Sequence, residues 1–312
     1  MRRQGKLVTP TRGGALQDFL RDRNSIKKSK KEPKKAGFVI KERPTVSEDT
    51  EKPISILWIK PMLDEALESS QVLWEPPKRS FRGSATGTRC IRALTFEVLG
   101  HQVPREARVL RIFATGKRIE DTIIQTAKGA KILVDKSDQL GGAYLDPPIT
   151  CHIDGEVAKP GSEQIFLLEI KSINTYGFSN LPKEHDIELA GRSPLMARYE
   201  NYVVQWNTYA WAPEVDLEYG ALLFEDKNDQ RQKIYGLRRD PVLRDEMLER
   251  HREAATYVLS DPQRIAPVPE GFDPETGKGG CNTCSHRYLC KRVSRGPVEY
   301  DVLRTEDAKL RG

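Results

Sequence analysis

The chain has 312 residues, 38% of them hydrophobic and 31% charged, the composition of a soluble globular protein with polar ends. No apolar run approaches the ~20 residues needed to cross a bilayer. The basic start "MRRQGKLVTP" lacks the apolar stretch of a secretory signal. A cytoplasmic protein without a membrane partner is therefore expected, with its five cysteines present as thiols or metal ligands rather than disulfides.

The formal charge of +6 is uneven. Residues 1–45 hold 14 Lys/Arg against 4 Asp/Glu, a balance of +10, and the remainder balances at −4. Residues 1–50 read as a basic tail, because "NSIKKSKKEPKKAG" has no apolar period and a disordered composition. Such an arm binds phosphates or is simply solvated. Residues 51–295 are expected to fold as one domain, with 296–312 a polar C-terminal tail.

Within the domain, "PISILWIKPMLDEALESSQVLW" (53–74) suggests an extended piece and a short helix, and "PPKRSFRGSATG" a loop. "TRCIRALTFEVLG" (88–100) predicts a helix with Thr88 as N-cap and Gly100 as C-cap. Residues 107–130 predict a longer helix weakened near Gly116. "CHIDGEVA" and "IFLLEIKS" predict two strands around "KPGSEQ". Residues 173–197 read as a long loop, a length that is often functional. "RYENYVVQWNTYAWA" (198–212) carries a helical apolar stripe of Tyr199, Tyr202, Val203, Trp206, Tyr209 and Ala210. A hairpin turning at "DKND" follows, then an amphipathic helix with Pro241 at its first position. A Pro/Gly-rich loop leads to "CNTCSHRYLC". No internal repeat is seen. This order predicts a mixed α/β domain with a central, mainly antiparallel sheet.

The strand "IFLLEIKS" raises a physical problem, since an unpaired buried charge costs several kcal/mol. Side chains alternate, so Glu169 and Lys171 share one face, and Leu168 and Ile170 the other, expected to be the core face. The six-residue connection 159–164 makes paired positions sum to 323, which sets Asp154 opposite Glu169, with Cβ atoms ~4.5–5.5 Å apart. Two carboxylates this close repel and raise a pKa. A divalent cation between them, Mg²⁺ or Mn²⁺, relieves the repulsion. Lys171 would then orient or deprotonate an attacking water, or offset charge on a phosphate. A solvated strand face with an ordinary Glu–Lys pair would carry the same residues.

"HIDG…LLEIKS" resembles the core of the PD-(D/E)XK nuclease superfamily. The resemblance implies a restriction-endonuclease-like core, a central mixed sheet flanked by helices, with Asp154, Glu169 and Lys171 catalytic. The RecB-like branch adds Gln-x-x-x-Tyr on the following helix. "QWNTY" supplies Gln205 and Tyr209, which the i, i+4 spacing puts on one face; packing alone would also explain Tyr209. The branch carries a His or acidic residue on an earlier helix. "GKRIE" offers Glu120 where many relatives have His, with Asp121 beside it as an alternative, and both would serve equally as exposed helix charges. The implied metal set is Glu120, Asp154, Glu169 and the Ile170 carbonyl.

Cys281, Cys284 and Cys290 have the spacing of a metal site. A fourth ligand is required for tetrahedral zinc or a cubane cluster, and His286 and Cys90 are the candidates. The chain is similar to RecB-like nucleases of the CRISPR-associated Cas-four type and the AddB type. That similarity implies a [4Fe–4S] cluster held by three cysteines after the core and by Cys90 before it, in "SATGTRCIR" (84–92), a segment like S-x-x-x-x-x-C-x-R. The cluster would be structural, joining the N- and C-terminal parts. A helix N-terminus favours the Cys90 thiolate. Cys151 is expected as a buried strand thiol.

The resemblance spans about residues 80–292. It implies a metal-dependent DNA exonuclease acting on single strands or duplex ends, in recombination, repair, replication or CRISPR-type processing. The alternative is a DNA-binding iron–sulfur or zinc subunit of a larger helicase–nuclease, recombination or adaptation complex. Tyr176, Phe178 and Trp206 are candidates to stack on the bases of a single strand, with core packing the other role for Trp206.

Overall fold

The computed structural model describes residues 57–134 and 141–311. The basic tail read over residues 1–50 lies outside them. The described chain opens with helix α1 (Ile59–Ser69), a two-residue strand β1 (Phe81–Arg82), helix α2 (Ile91–Val98) and the long helix α3 (Ala107–Gly129). Strands β2 (Gly141–Leu145) and β3 (Pro148–His152) form a hairpin, and β1 joins β3 in parallel. The second hairpin is β4 (Gly155–Ala158) and β5 (Ile165–Ile173). Then come a short helix α4 (Thr175–Ser179), strand β6 (His185–Leu189) and helix α5 (Met196–Ala210). Strands β7 (Tyr219–Asp226) and β8 (Gln232–Arg238) precede helix α6 (Pro241–Val258). The C-terminal part holds β9 (Arg264–Ile265), α7 (Arg287–Cys290), β10 (Val298–Glu299) and α8 (Tyr300–Arg311). Among the described residues no helix is long and apolar enough to cross a membrane.

The fold is mixed α/β. The main sheet has the order β4-β5-β7-β8-β6. Two of its pairings are antiparallel, β4–β5 and β7–β8, and two are parallel, β5–β7 and β6–β8. The parallel pairs replace the mainly antiparallel sheet expected from the hairpins, because α4, β6 and α5 form the long crossover that a parallel neighbour of β5 requires.

The core explains why β5 is apolar almost throughout. Leu167, Leu168 and Ile170 are all buried, as is Glu169 between them. Leu167 and Ile173, on the Glu169 face, belong to the principal core together with Val203, Trp206 and Ala210 of α5. On the other face Ser172 lies against Gly116 of α3, where an added Cβ would stand 2.9 Å from the Ser172 Oγ. Both faces are therefore covered, as in other strands with parallel neighbours. The expected division into a core face at Leu168 and Ile170 and an open face at Glu169 is corrected accordingly. Gly116 does not weaken α3, which runs unbroken for 23 residues; the missing side chain lets the helix approach the sheet.

Further differences have physical causes. "CHIDGEVA" is two strands in different sheets, with Asp154 at the bend between them. Residues 173–197 contain α4 and β6. The polar sequence HDIEL hid β6, which lies at the sheet edge beside β8. Helix α2 begins at Ile91, with Cys90 rather than Thr88 at its N-cap position. Residues 300–311, expected as tail, form α8, and its Leu303 and Asp307 are fully buried. Asp240 caps α6 by accepting from the Val242 N–H at 2.9 Å, with Pro241 in the first turn.

Candidate active site

The β4–β5 register pairs Gly155 with Leu168 and Glu156 with Leu167, the pairing expected from the length of the connection. Asp154 immediately precedes β4, and the register carried one step further sets it opposite Glu169. Its Oδ2 accepts from the Ile170 N–H at 2.7 Å, so the carboxylate is pinned to β5 through the backbone. Glu169 is only 1% exposed. Its Oε1 accepts from Lys171 Nζ and, at 2.7 Å, from Gln205 Nε2. Gln205 Nε2 also donates to the Tyr209 hydroxyl at 3.0 Å. Residues 205 and 209 reach the strand together because they lie one helical turn apart on α5. Glu169 Oε2 is buried and has no hydrogen-bond partner.

These side chains line one cleft, which Glu120, Lys78 and Arg82 also border. Glu120 and Asp121 both pair with Lys117, at 2.5 and 3.1 Å. Asp121 faces outward, with its side chain 60% exposed against 29% for Glu120, and does not line the cleft. The Lys78–Ser84 wall carried no signal in the sequence beyond Gly83. At that glycine a Cβ would meet Tyr209 Cε1 at 2.4 Å, so the chain passes flush over the Tyr209 ring.

The electrostatics of the cleft are unbalanced. Burial, and then the neighbouring Glu169 charge, hold the Asp154 carboxyl well above its ordinary range. Burial likewise raises Glu169, against the opposing pull of Lys171. Burial acts to lower Lys171, but Glu169 and Asp154 outweigh it and the ammonium is held more firmly. Two carboxylates thus share one cation in a water-poor site, an arrangement that a further cation relieves. Among the described residues no three His, Cys, Asp or Glu side chains converge as a ready-made metal cage. Two facing carboxylates suffice for Mg²⁺, which keeps several of its waters. The orphaned Glu169 Oε2 is the oxygen that fits such an ion.

The stacking candidates separate. Trp206 is fully buried in the core, and Phe178 is 3% exposed beneath Arg231 and Lys233, so neither ring is open to a base. Tyr176 is 73% exposed, with the Arg198 guanidinium 5.6 Å from its centroid.

Cys90, Cys281, Cys284 and Cys290 line a second cavity together with Arg92 and His286. The four thiols border this space without closing on one point. Burial pushes the Cys90 thiol up to about 11, with backbone N–H groups opposing, and raises Cys284 and Cys290. His286 is engaged elsewhere: it stacks on Phe96 at 4.8 Å, and its Nδ1 lies 3.0 Å from the Nδ1 of His101. All five cysteines are free, and Cys151 is buried in β3.

No protein-family model matches the chain, and no curated protein matches it. Among solved structures, the crystal structure of SSO0001 is similar at 12% identity and a TM-score of 0.38, over 74% of this chain and 96% of that one. LHK-Exo in complex with dAMP is similar at 15% identity and 0.39, over 57% and 87%. An alkaline exonuclease (LHK-Exo) from Laribacter hongkongensis is similar at 13% identity and 0.37, over 63% and 91%.

Proposed function

We propose that this chain is a divalent-metal-dependent nuclease that hydrolyses DNA phosphodiester bonds as an exonuclease. The observation that carries the reading is Glu169: fully buried, facing Asp154, bonded through Oε1 to Lys171 and Gln205, and left with one open oxygen. A solvated strand face would show none of this.

Asp154 and Glu169 would hold Mg²⁺ or Mn²⁺, with the Ile170 carbonyl and Glu120 at the margin of the site. The ion supplies Lewis acidity and charge neutralisation for phosphoryl transfer. The protein groups do the positioning. Asp154 is fixed by the Ile170 N–H. Gln205, itself held by Tyr209, occupies Glu169 Oε1 and so directs Oε2 into the cleft. Lys171 keeps its proton beside Glu169, where it orients an attacking water and stabilises negative charge gathering on the phosphate. Lys78 and Arg82 border the same cleft, paired with Glu75 and Glu97 respectively, and a nucleic-acid backbone would compete with those carboxylates for them.

For the cysteines the reading is a thiolate-held metal centre joining residue 90 to residues 281–290. It is a [4Fe–4S] cluster on the family resemblance, with zinc the other metal that the donors suit.

The test is release of nucleotides from end-labelled single- and double-stranded DNA in Mg²⁺, Mn²⁺ or EDTA. Cleavage that requires the metal and is lost in Glu169→Gln and Lys171→Met is expected. Cleavage indifferent to EDTA, or none in either metal, sinks the proposal.

A further inference from the structure

An arginine is almost never fully buried without an anion beside it, for a guanidinium never loses its charge in a protein. Arg92 is nonetheless 1% exposed. Its Nη1 donates to the carbonyls of Ala266, Arg295 and Gly296 at 3.1, 3.2 and 3.0 Å, and its Nη2 to Ser294 at 2.7 Å. Its Nε–H is buried and has no partner. Among the described residues no carboxylate forms an ion pair with it, and Asp273, which pairs with Arg295 at 2.9 Å, is already taken. Neutral carbonyls satisfy donors but do not cancel a buried charge. What Arg92 does border is the cavity of Cys90, Cys281, Cys284 and Cys290.

We propose that Arg92 is the positioning residue and fixed counter-charge of a thiolate-bound metal centre at these four cysteines. The inference rests on the reading of the cysteines as a metal centre and goes beyond it. Four cysteines that hold iron or zinc are thiolates, and their net negative charge is the partner the buried guanidinium lacks. The idle Nε–H is a donor, which suits sulfur ligands and not a bare cation. The same side chain reaches the carbonyls of residues 266 and 294–296, on both sides of the late cysteines, from the helix that follows Cys90. It therefore holds the two halves of the donor set together while neutralising them.

The full chain, purified without oxygen, is compared with Arg92→Met and Arg92→Lys by iron, zinc and sulfide content, visible absorption and melting temperature. The midpoint potential is added if iron is present, and the rate of metal loss to a chelator in either case. Arg92→Met should hold its metal about 10-fold more weakly, the usual size of an outer-shell loss, and its midpoint potential should fall, because removing a positive charge disfavours the electron. Arg92→Lys keeps the charge and should keep the potential while losing the fork of carbonyl bonds. Arg92→Gln replaces Arg92→Met if the latter does not fold. Unchanged metal retention and potential in the neutral variants, with only the melting temperature lowered, would make Arg92 a backbone brace and overturn the proposal alone. Wild-type protein that contains neither iron nor zinc overturns the metal-centre reading, and this inference with it.

Discussion

The carboxylate cleft and the thiol cavity are built in opposite ways. The carboxylate cleft is assembled by one hairpin and one helix, from residues 154, 169, 171, 205 and 209, and each of these side chains makes a hydrogen bond before any ion arrives. The thiol cavity gathers Cys90 from a helix start, Cys281 and Cys284 from irregular chain, and Cys290 from the end of the four-residue helix α7. The approach to Cys281 passes Gly277, Gly279 and Gly280, all with positive φ, at +87°, +71° and +90°. Regular elements with internal bonds hold a site without help from a ligand. A glycine-rich loop does not, and there the bound metal itself supplies the order. Removing the ion from the cleft should therefore abolish chemistry and spare the fold, whereas removing it from the cavity should loosen the fold.

The largest effect tests the first half of that contrast. Glu169→Gln and Asp154→Asn should lower the cleavage rate by about 10³-fold, the scale of losing one preorganised charge at a reacting phosphate, and leave the melting temperature unchanged or raised. The amides are chosen over alanine because Asp154 accepts from the Ile170 N–H, and an orphaned backbone donor would cost ~1–3 kcal/mol by itself. Leu168→Ala on the same strand should do the reverse, costing ~2–5 kcal/mol as a core truncation with activity retained while the protein is folded. If Glu169→Gln melts like Leu168→Ala, the carboxylate belongs to the packing and the cleft is not preorganised as described.

The second half of the contrast predicts a smaller, structural effect. Cys284→Ser should remove the metal from the cavity and lower the melting temperature by several degrees, since ~1 kcal/mol corresponds to ~2–4 °C for a domain of this size. Limited proteolysis should then cut within residues 270–290 before it cuts β5 or α5. A serine variant that keeps both metal content and protease resistance would show that the loop is ordered by the protein alone.

The contrast also explains what the sequence could reveal. Strand pairing has a period of two and a short connection, so the approach of Asp154 to Glu169 follows from counting. The i, i+4 spacing brings Gln205 and Tyr209 to one helix face in the same way. Which face of β5 is the core does not follow, because α3 and α5 cover both sides and Leu167 shares a face with Glu169. Edge strand β6 does not stand out because its alternation of Asp186 and Glu188 with Ile187 and Leu189 spans only five residues, and α8 does not because its anchor is distant in sequence, Asp307 accepting from Trp74 Nε1 at 2.8 Å. Arg92 is the plainest case. Its helix pattern reads as one more surface charge, and only carbonyls from residues 266 and 294–296 show it to be buried.

The smallest effect separates the two sites by their titration. In metal-free protein the Asp154 and Glu169 carboxyls are raised above their ordinary values of 3.8 and 4.5. A raised acid binds more protons in the folded than in the unfolded state, so stability falls as pH rises from those ordinary values up through the elevated folded ones. Cys90 adds little over that range, because its thiol titrates above it in both states, ordinarily at 9.0 and pushed up to about 11 in the fold. Melting temperature followed from pH 4 to pH 8 in EDTA should decline for wild type and decline less for Glu169→Gln, which removes one raised acid and the charge that helps to raise the other. Saturating Mg²⁺ should flatten the wild-type slope, since an ion that binds the ionised carboxylates favours the state that burial disfavours. A slope identical in wild type and Glu169→Gln would place the titrating groups elsewhere, and the cleft would not hold the unbalanced charge from which its metal affinity is argued.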